Sequence, residues 1–162
     1  MKKINIVLFL LLLLFLNKSS ELNKIKKIDN EQIGQLIINK INLKQNLYKI
    51  ESKKNNIEQN IAIIKESNYP NVKNGILILA AHSGIGNIAY FEKLDNLELK
   101  DHIIVIYKNK KYIYQITKIW EQKKNGYIKI KKENKKQLIL TTCSPNKKNT
   151  QLIINCIEKE FN

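Results

Sequence analysis

Residues 138–146 read Leu-Ile-Leu-Thr-Thr-Cys-Ser-Pro-Asn, and this stretch decides how the fold and the chemistry of the chain are interpreted. Its first part is short and apolar and is followed by two threonines, which is typical of a buried β-strand. The Ser-Pro-Asn that follows favours a turn. Cys143 therefore stands where a strand ends, and a side chain in such a position can face a groove.

A histidine has the same placement earlier in the chain. Residues 76–81 are all apolar and predict a second buried strand, and His82 follows them where the loop 83–86 begins. Two adjacent strand ends can bring together a thiol and an imidazole that are 61 positions apart (143 − 82). An imidazolium beside a thiol favours the nucleophilic thiolate, so Cys143 and His82 form a candidate catalytic pair. Taken alone, one histidine and one cysteine are more often structural, and the order His before Cys disfavours a papain-like enzyme.

Short strand patterns dominate the rest of the chain. Alternating or β-branched runs are bounded by turn residues, and Asn125-Gly126 is a strong hairpin-turn pattern. The predicted strands cover residues 33–38, 47–50, 75–81, 102–107, 111–121, 127–131, 138–142 and 152–157. Short helices are expected at 56–64 and 87–97. The crossover helices that a parallel α/β sheet needs are missing, so the pattern indicates an all-β barrel or sandwich.

The composition indicates a globular and strongly basic protein. Of the 162 residues, 43% are hydrophobic and 27% are charged, which suits one folded domain with one core. The formal net charge is +15, and all 29 residues counted as Lys+Arg are lysines, because no position is arginine. The lysines are scattered and no nucleic-acid motif accompanies them, so no nucleic-acid partner is expected. We interpret the charge as a solvated surface, and attraction to anionic lipid or cell-wall polymer stays open.

The first residues indicate export. Two lysines precede an apolar run over residues 4–16, which only Asn5 interrupts. As a helix this run is about 20 Å long, shorter than a hydrocarbon core of roughly 30 Å, and no small-x-small cleavage site follows it. We expect an uncleaved segment that holds the catalytic domain outside the cell membrane, although cleavage and release stay open. The predicted organisation is a signal peptide or membrane anchor, a polar linker and a catalytic barrel, at residues 1–16, 17–30 and 31–162.

Other residues with reactive side chains are interpreted as structural. Cys156 lies within the apolar run 152–157 and is expected to be a buried strand residue, not half of a disulfide with Cys143. His102 begins a predicted strand and is expected at the surface. The acidic residues show no metal-ligand spacing, so we assign neither a metal nor a cofactor.

Three segments together resemble the bacterial sortases. Residues 79–84, Leu-Ala-Ala-His-Ser-Gly, are similar to the histidine segment of that family. Residues 139–143, Ile-Leu-Thr-Thr-Cys, resemble its Thr-Leu-x-Thr-Cys signature, with isoleucine in place of the first threonine. Residues 33–38 resemble its opening strand. The resemblance extends to about residue 157 and so covers nearly all of the part predicted to be exported.

The resemblance implies a closed, eight-stranded, all-β sortase barrel with short helices in its connections, preceded by an N-terminal signal-anchor helix. It implies a cysteine transpeptidase that cleaves a C-terminal sorting motif of the Leu-Pro-x-Thr-Gly type. Cys143 would form the thioacyl intermediate, and His82 would donate a proton to the leaving amine. The partners would be surface proteins with a sorting signal, and an amine of a cell-wall precursor or of a pilin. Residues beside the pair are expected to bind substrate, namely Ala81, Ser83, Thr141 and Thr142.

One departure from the family concerns the charge at the site. Sortases carry an arginine on the strand after the cysteine, where this chain has Gln151. Three interpretations stay open: Gln151 is a neutral donor, Lys147 or Lys148 supplies the charge, or the protein is a weak or inactive sortase-like binding module. A different exported cysteine transpeptidase that acts on peptidoglycan is a further alternative. The Ser-His-Gly-Cys type motif of the L,D-transpeptidases is missing, however.

Overall fold

The computed structural model describes residues 6–29 and 31–159, and the chain divides into two compact units. The first unit, Met1–Gln32, contains helix α1 (Ile6–Asp29), so most of the predicted polar linker continues the same helix as the apolar run. Among the described residues, no helix is both long and apolar enough to cross a bilayer. The predicted signal-anchor helix is therefore not confirmed, and its first residues, 1–5, lie outside the described part.

The second unit, Ile33–Asn162, is built on an eight-stranded sheet. The connections that the structure describes include two 3₁₀ helices, Asn39–Ile41 and Leu94–Asn96. The strands are β1 (Gln32–Ile38), β2 (Leu43–Tyr48), β3 (Ala62–Ile63), β4 (Ile76–Ala80), β5 (His102–Tyr107), β6 (Lys110–Lys123), β7 (Gln137–Cys143) and β8 (Thr150–Glu158).

The strand order brings the two candidate catalytic segments to one rim. Across the sheet the order is β2-β1-β5-β6-β8-β7-β4-β3. β4 and β7 are parallel neighbours, with Ala80 paired to Thr141, whereas β7 and β8 are antiparallel. Because parallel neighbours end at the same edge of a sheet, the residues that follow β4 lie beside the last residues of β7.

The sheet curls into a nearly closed barrel, which confirms the predicted all-β architecture. β2 and β3 are the two ends of the strand order. They approach each other, because Gln45 Nε2 on β2 donates to Asn60 Oδ1, just before β3, at 2.7 Å. Closure of this kind leaves few unpaired strand edges.

The barrel interior is apolar, and the central strands supply most of it. β5 shows the alternation of a strand with one buried face, since Ile103, Val105 and Tyr107 are buried and the residues between them are not. β7 is buried along its whole length except at Cys143. Full burial of one aliphatic side chain contributes about 1.5–3 kcal/mol. The nucleophile candidate is therefore carried by a buried strand and is exposed only where that strand stops.

The predicted helix at 56–64 is wrong. The chain there forms turns followed by the short strand β3. The side chain of Asn55 explains the difference, because its Oδ1 accepts from the Ile63 N–H (2.6 Å) and its Nδ2 donates to the Ile63 carbonyl (2.9 Å). A side chain that satisfies the backbone in this way competes with helical hydrogen bonds.

The predicted helix at 87–97 is replaced by a series of tight turns. Successive backbone bonds span three residues, as from the Leu94 N–H to the Phe91 carbonyl (3.2 Å) and from the Leu97 N–H to the Leu94 carbonyl (3.3 Å). Phe91, Leu94 and Leu97 are nevertheless buried in the core. The apolar spacing therefore identified these core residues correctly, but it predicted a helix where the chain forms turns.

The predicted strand at 127–131 is also wrong. This segment is irregular, and its backbone is held by the side chain of Gln122 on β6. Gln122 Nε2 donates to the Tyr127 carbonyl at 2.7 Å, and Gln122 Oε1 accepts from the Lys129 N–H at 3.4 Å. The segment therefore packs beside β6 and does not join the sheet.

Candidate active site

Cys143 lies beside the end of β4, held there by hydrogen bonds from its neighbours. The Thr142 hydroxyl donates to the Ala81 carbonyl (2.7 Å), and the Ser83 hydroxyl donates to the Cys143 carbonyl (2.9 Å). Ala81 and Ser83 flank His82, so these bonds fix the His82 backbone next to that of Cys143. The thiol itself is exposed.

The loop after His82 is anchored at its base. The Phe91 N–H donates to the His82 carbonyl at 3.0 Å, and Gly84 at φ +105° gives the turn a conformation that glycine adopts without strain. The imidazole is 32% exposed, and its Nε2 lies 3.1 Å from Oε1 of Glu58. Glu58 thus engages one ring nitrogen, and a reaction at the rim would use the other nitrogen or displace Glu58.

Gln151 lies directly opposite Cys143 on the antiparallel neighbour β8. Directly opposed residues project to the same face of a sheet, with Cβ atoms about 4.5–5.5 Å apart. Gln151 is half-buried. Its amide is therefore within reach of a group bound at the sulfur.

A lysine contacts the sulfur of Cys143. The Nζ atom of Lys124 donates to Cys143 Sγ at 2.8 Å. Lys124 follows directly after β6, and its N–H donates to the Asn149 carbonyl (2.9 Å), which extends the pairing of β6 with β8 beyond Lys123 and Thr150. Both the backbone and the ammonium of this lysine are thus fixed at the rim.

The two loop lysines considered from the sequence lie differently. Lys147 Nζ is 3.0 Å from Oε2 of Glu121, and the Ser144 hydroxyl donates to the same carboxylate. The hydrogen bonds from Ser144 and Lys147 hold the pKa of the Glu121 carboxyl below its ordinary value. Lys148 is exposed in the same loop. Lys147 therefore belongs to a surface ion pair and is not the cation at the sulfur.

A groove of about 680 Å³ is lined in part by the residues that flank Cys143. Lys124, Gln151 and Thr141 line it near the sulfur, and Glu66 contributes a carboxylate. Its apolar lining comes from β4, from the residue after β3 and from the irregular segment after β6, namely Ile64, Ile78, Ala80, Tyr127, Ile128 and Ile130. A mostly apolar groove with a few polar groups is the usual form of a ligand site.

One hydroxyl in this groove is unsatisfied. Thr141 is 8% exposed, and its Oγ1 has no hydrogen-bond partner within the described part of the chain. A buried hydroxyl without a partner costs free energy, so a bound group that pairs with Thr141 would recover it. The hydroxyl of Thr142 is already bonded and ties the two strand ends together.

Lys124 and Glu58 are the contacting residues that sequence reasoning missed. Neither lies in a motif, and Lys124 reaches the sulfur only through the register of β6 on β8. The groove wall at 126–130 did carry a signal, an Asn-Gly turn before alternating isoleucines, but it was interpreted as a strand.

Cys156 and His102, which were interpreted as structural, lie as predicted. Cys156 is a free thiol in β8 with 0% exposure, and burial raises its pKa well above the ordinary value. His102 is exposed at the start of β5. Among residues 6–29 and 31–159 no group of three or more His, Cys, Asp or Glu side chains could hold a metal ion. Two of the acidic residues, Glu98 and Asp101, form ion pairs with Lys40, whose Nζ lies 2.9 Å from a carboxylate oxygen of each.

Comparison with known proteins gives one family. A model described as the sortase domain matches residues 36–158. The structure of sortase C1 from Streptococcus agalactiae is 28% identical, with a TM-score of 0.69, over 82% of this chain and 69% of that chain. Sortase C from Streptococcus pneumoniae is 19% identical, with a TM-score of 0.71, over 81% and 69% of the two chains. A lid mutant of sortase A from Corynebacterium diphtheriae is 19% identical, with a TM-score of 0.70, over 80% and 71%.

The chain is shorter than these structures, spanning between 66% and 75% of the length of the sortases it matches. A comparison with curated protein sequences gives no match. The family match covers most of the chain, from β1 to the last residue of β8, and includes both strand ends that form the rim. This chain belongs to the sortase family of cysteine transpeptidases.

Proposed function

We propose that this protein cleaves a C-terminal sorting motif of the Leu-Pro-x-Thr-Gly type and transfers the released carboxyl end to an amine. Cys143 is the nucleophile and His82 the proton donor. The observation that carries the proposal is the exposed thiol at the end of a buried strand. Its neighbours bond it to the His82 segment, and the residues that flank it, Lys124 and Gln151, line an apolar groove.

The reaction has two covalent steps. The Cys143 thiolate attacks the carbonyl carbon of the scissile peptide, a sulfur–carbon bond forms, and the carbon–nitrogen bond breaks as His82 gives a proton to the departing amine. An acceptor amine then attacks the thioester. A new amide forms, the sulfur–carbon bond breaks, and the proton of the amine passes to His82. The thiolate is restored, and no oxidant or metal is consumed.

The groove suits an extended peptide with apolar leading residues. Its isoleucines offer contacts for the Leu-Pro part of such a motif. The unsatisfied Thr141 hydroxyl would bond the peptide backbone, whereas Thr142, Ala81 and Ser83 hold the walls in register. Gln151, opposite the sulfur, would donate a neutral hydrogen bond to the substrate carbonyl.

The partners and location follow from the same proposal. Substrates are surface proteins that carry the sorting signal, and the acceptor is an amine of a cell-wall precursor or of a pilin. A structure of the pneumococcal sortase C is described in terms of pilin substrate specificity. We propose that the basic and apolar residues 2–16 direct export, so that the barrel acts outside the cell membrane. A fusion of residues 1–30 to a phosphatase that folds only after export would be active if this is correct and inactive if it is not.

The direct test is capture of the thioacyl intermediate. The domain is incubated with a panel of sorting peptides without an acceptor amine and examined by mass spectrometry. We expect a mass increase equal to the N-terminal cleavage fragment on Cys143, and its loss when a small amine such as triglycine is added.

The Cys143→Ala variant is the matched control, because it keeps the second thiol, Cys156. We expect this variant to form no adduct. An adduct on Cys156, or peptides left intact by a domain whose Cys143 also resists thiol reagents, would contradict the proposal and favour a binding module. Cleavage of purified muropeptides in place of sorting peptides would identify a peptidoglycan transpeptidase.

A further inference from the structure

The structure assigns a role to a lysine that no motif marks. We propose that Lys124 is a catalytic residue of this protein. Its ammonium stabilises the negative charge that moves from the Cys143 sulfur to the substrate carbonyl oxygen during attack. The proposal rests on the transpeptidase function proposed above, and it gives this site a positive charge in a chain that has no arginine.

The contact is held by the barrel and not by a free loop. Lys124 Nζ lies 2.8 Å from Cys143 Sγ, well within hydrogen-bonding distance of a sulfur acceptor. Strand β6 pairs with β8 through to Lys123 and Thr150, and the Lys124 N–H then donates to the Asn149 carbonyl at 2.9 Å. The lysine therefore starts from a fixed backbone position beside the strand end that carries the thiol.

The charges around the rim leave this lysine to act on the sulfur. The carboxylate of β6, Glu121, is occupied by Lys147 and by the Ser144 hydroxyl. Glu58 is bonded to His82 on the other side of the rim. Among the described residues that line the groove, Lys124 is the one lysine, and Glu66 is the carboxylate.

The chemistry needs a cation at this place. When the thiolate attacks, the sulfur–carbon bond forms and the carbonyl π electrons move onto the oxygen, which only one carbon separates from the sulfur. A lysine ammonium has three N–H donors, so one group can bond the sulfur before attack and the oxyanion afterwards. Gln151 can orient the carbonyl from the opposite side but carries no charge. Gln151 thus positions the carbonyl, and Lys124 stabilises the charge that develops on it.

Kinetics of peptide cleavage give the first test. We expect Lys124→Met to lower kcat by about 10²-fold or more with little change in KM, because the charge acts on the transition state. Lys124→Arg keeps the charge and should recover most of kcat. Lys123→Met is the matched control, since adjacent strand residues point to opposite faces, and it should behave as the wild type. An unchanged kcat in Lys124→Met would overturn the proposal.

Alkylation of Cys143 gives a second test that needs no peptide. The rate constants for iodoacetate, which is anionic, and iodoacetamide, which is neutral, are measured at low salt. A cation beside the sulfur favours the anionic reagent, so the ratio should fall about five-fold in Lys124→Met and not in Lys124→Arg or Lys123→Met.

The two tests separate the failure of one idea from that of the other. If the wild type cleaves no sorting peptide, the proposed function fails. The reagent ratio then decides alone: a fall in Lys124→Met supports a cation acting on Cys143, and an unchanged ratio overturns that role.

Discussion

The two cysteines lie on the same pair of strands in opposite surroundings. Cys143 ends β7 opposite Gln151, is exposed, and has an ammonium 2.8 Å from its sulfur. Cys156 lies within β8 opposite Leu138 and is 0% exposed. Burial raises the pKa of the Cys156 thiol well above its ordinary value of 9.0. Position within the strand, and not residue type, therefore separates a thiol that can react from one that packs.

The residues that follow each cysteine explain why one is exposed and the other is buried. A Ser-Pro-Asn turn comes after Cys143, so β7 stops and the side chain meets solvent at the rim. Cys156 is followed by Ile157 and remains inside β8. A thiol in an apolar interior is inert, whereas one beside a cation and a groove is a candidate nucleophile.

The largest expected effect is on thiol reactivity. In the native protein we expect Cys143 to react with a neutral alkylating reagent at least about 10³-fold faster than Cys156, because the buried thiol reacts only when the barrel opens. The two rates are measured separately in Cys156→Ala and Cys143→Ala, each of which has one thiol. In denaturant the rates should converge. Comparable rates in the native state would remove the contrast between the two positions.

The next effect concerns the histidine that shares the rim with Cys143. We expect His82→Gln to lower kcat/KM for peptide cleavage by about 10²–10⁴-fold, the usual range for loss of a general acid–base. His102→Gln is the matched control, because His102 is exposed at the start of β5, and it should retain wild-type activity. Equal losses in the two variants would show that the effect comes from the fold and not from proton transfer at the rim.

The sequence predicted the strands that carry this contrast, and physical reasons explain where it failed. Apolar runs ending in turns identified β4 and β7, because β7 is buried on both faces and the outer face of β4 forms part of the apolar groove. The segment 127–131 has the alternation of a strand, but Gln122 binds its backbone and makes it a groove wall. Local patterns do not record which side chain will satisfy a backbone group.

The site shows the same limit. Cys143 and His82 could be paired from their strand ends because each is preceded by a recognisable strand. Lys124 could not be predicted, since its contact depends on how β6 and β8 are aligned over nine paired positions and across a register shift near Ile116. The lysines considered from the sequence were Lys147 and Lys148, which are closer to the cysteine along the chain, but Lys147 is bound to Glu121.

A third prediction compares stability at the two positions. We expect Cys156→Ser to lower the free energy of unfolding by about 1–3 kcal/mol, because its hydroxyl would be buried among apolar side chains. Cys143→Ser, at the exposed end of the same ladder, should change it by less than about 0.5 kcal/mol. Urea denaturation of both variants measures the difference. A similar cost at the two sites would mean that Cys143 is packed as tightly as Cys156.

The smallest expected effect is the part of the pH dependence of stability that comes from the Cys156 thiol. Its thiol ionises near pH 9 in the unfolded chain but keeps its proton in the fold, because burial raises the pKa above the ordinary value of 9.0. Below pH 9 both states hold the proton and stability is unaffected. Above it, unfolding releases the proton, so the free energy of unfolding falls with a slope of at most about 1.4 kcal/mol per pH unit.

Urea denaturation at pH 8 and pH 10 isolates this term when the wild type is compared with Cys156→Ala. Every other side chain is the same in the two proteins, so its contribution cancels in the comparison. Between the two pH values the wild type should lose about 1.4 kcal/mol more than the variant. If instead Cys156→Ala loses stability as steeply as the wild type, the thiol of β8 is not held protonated by burial.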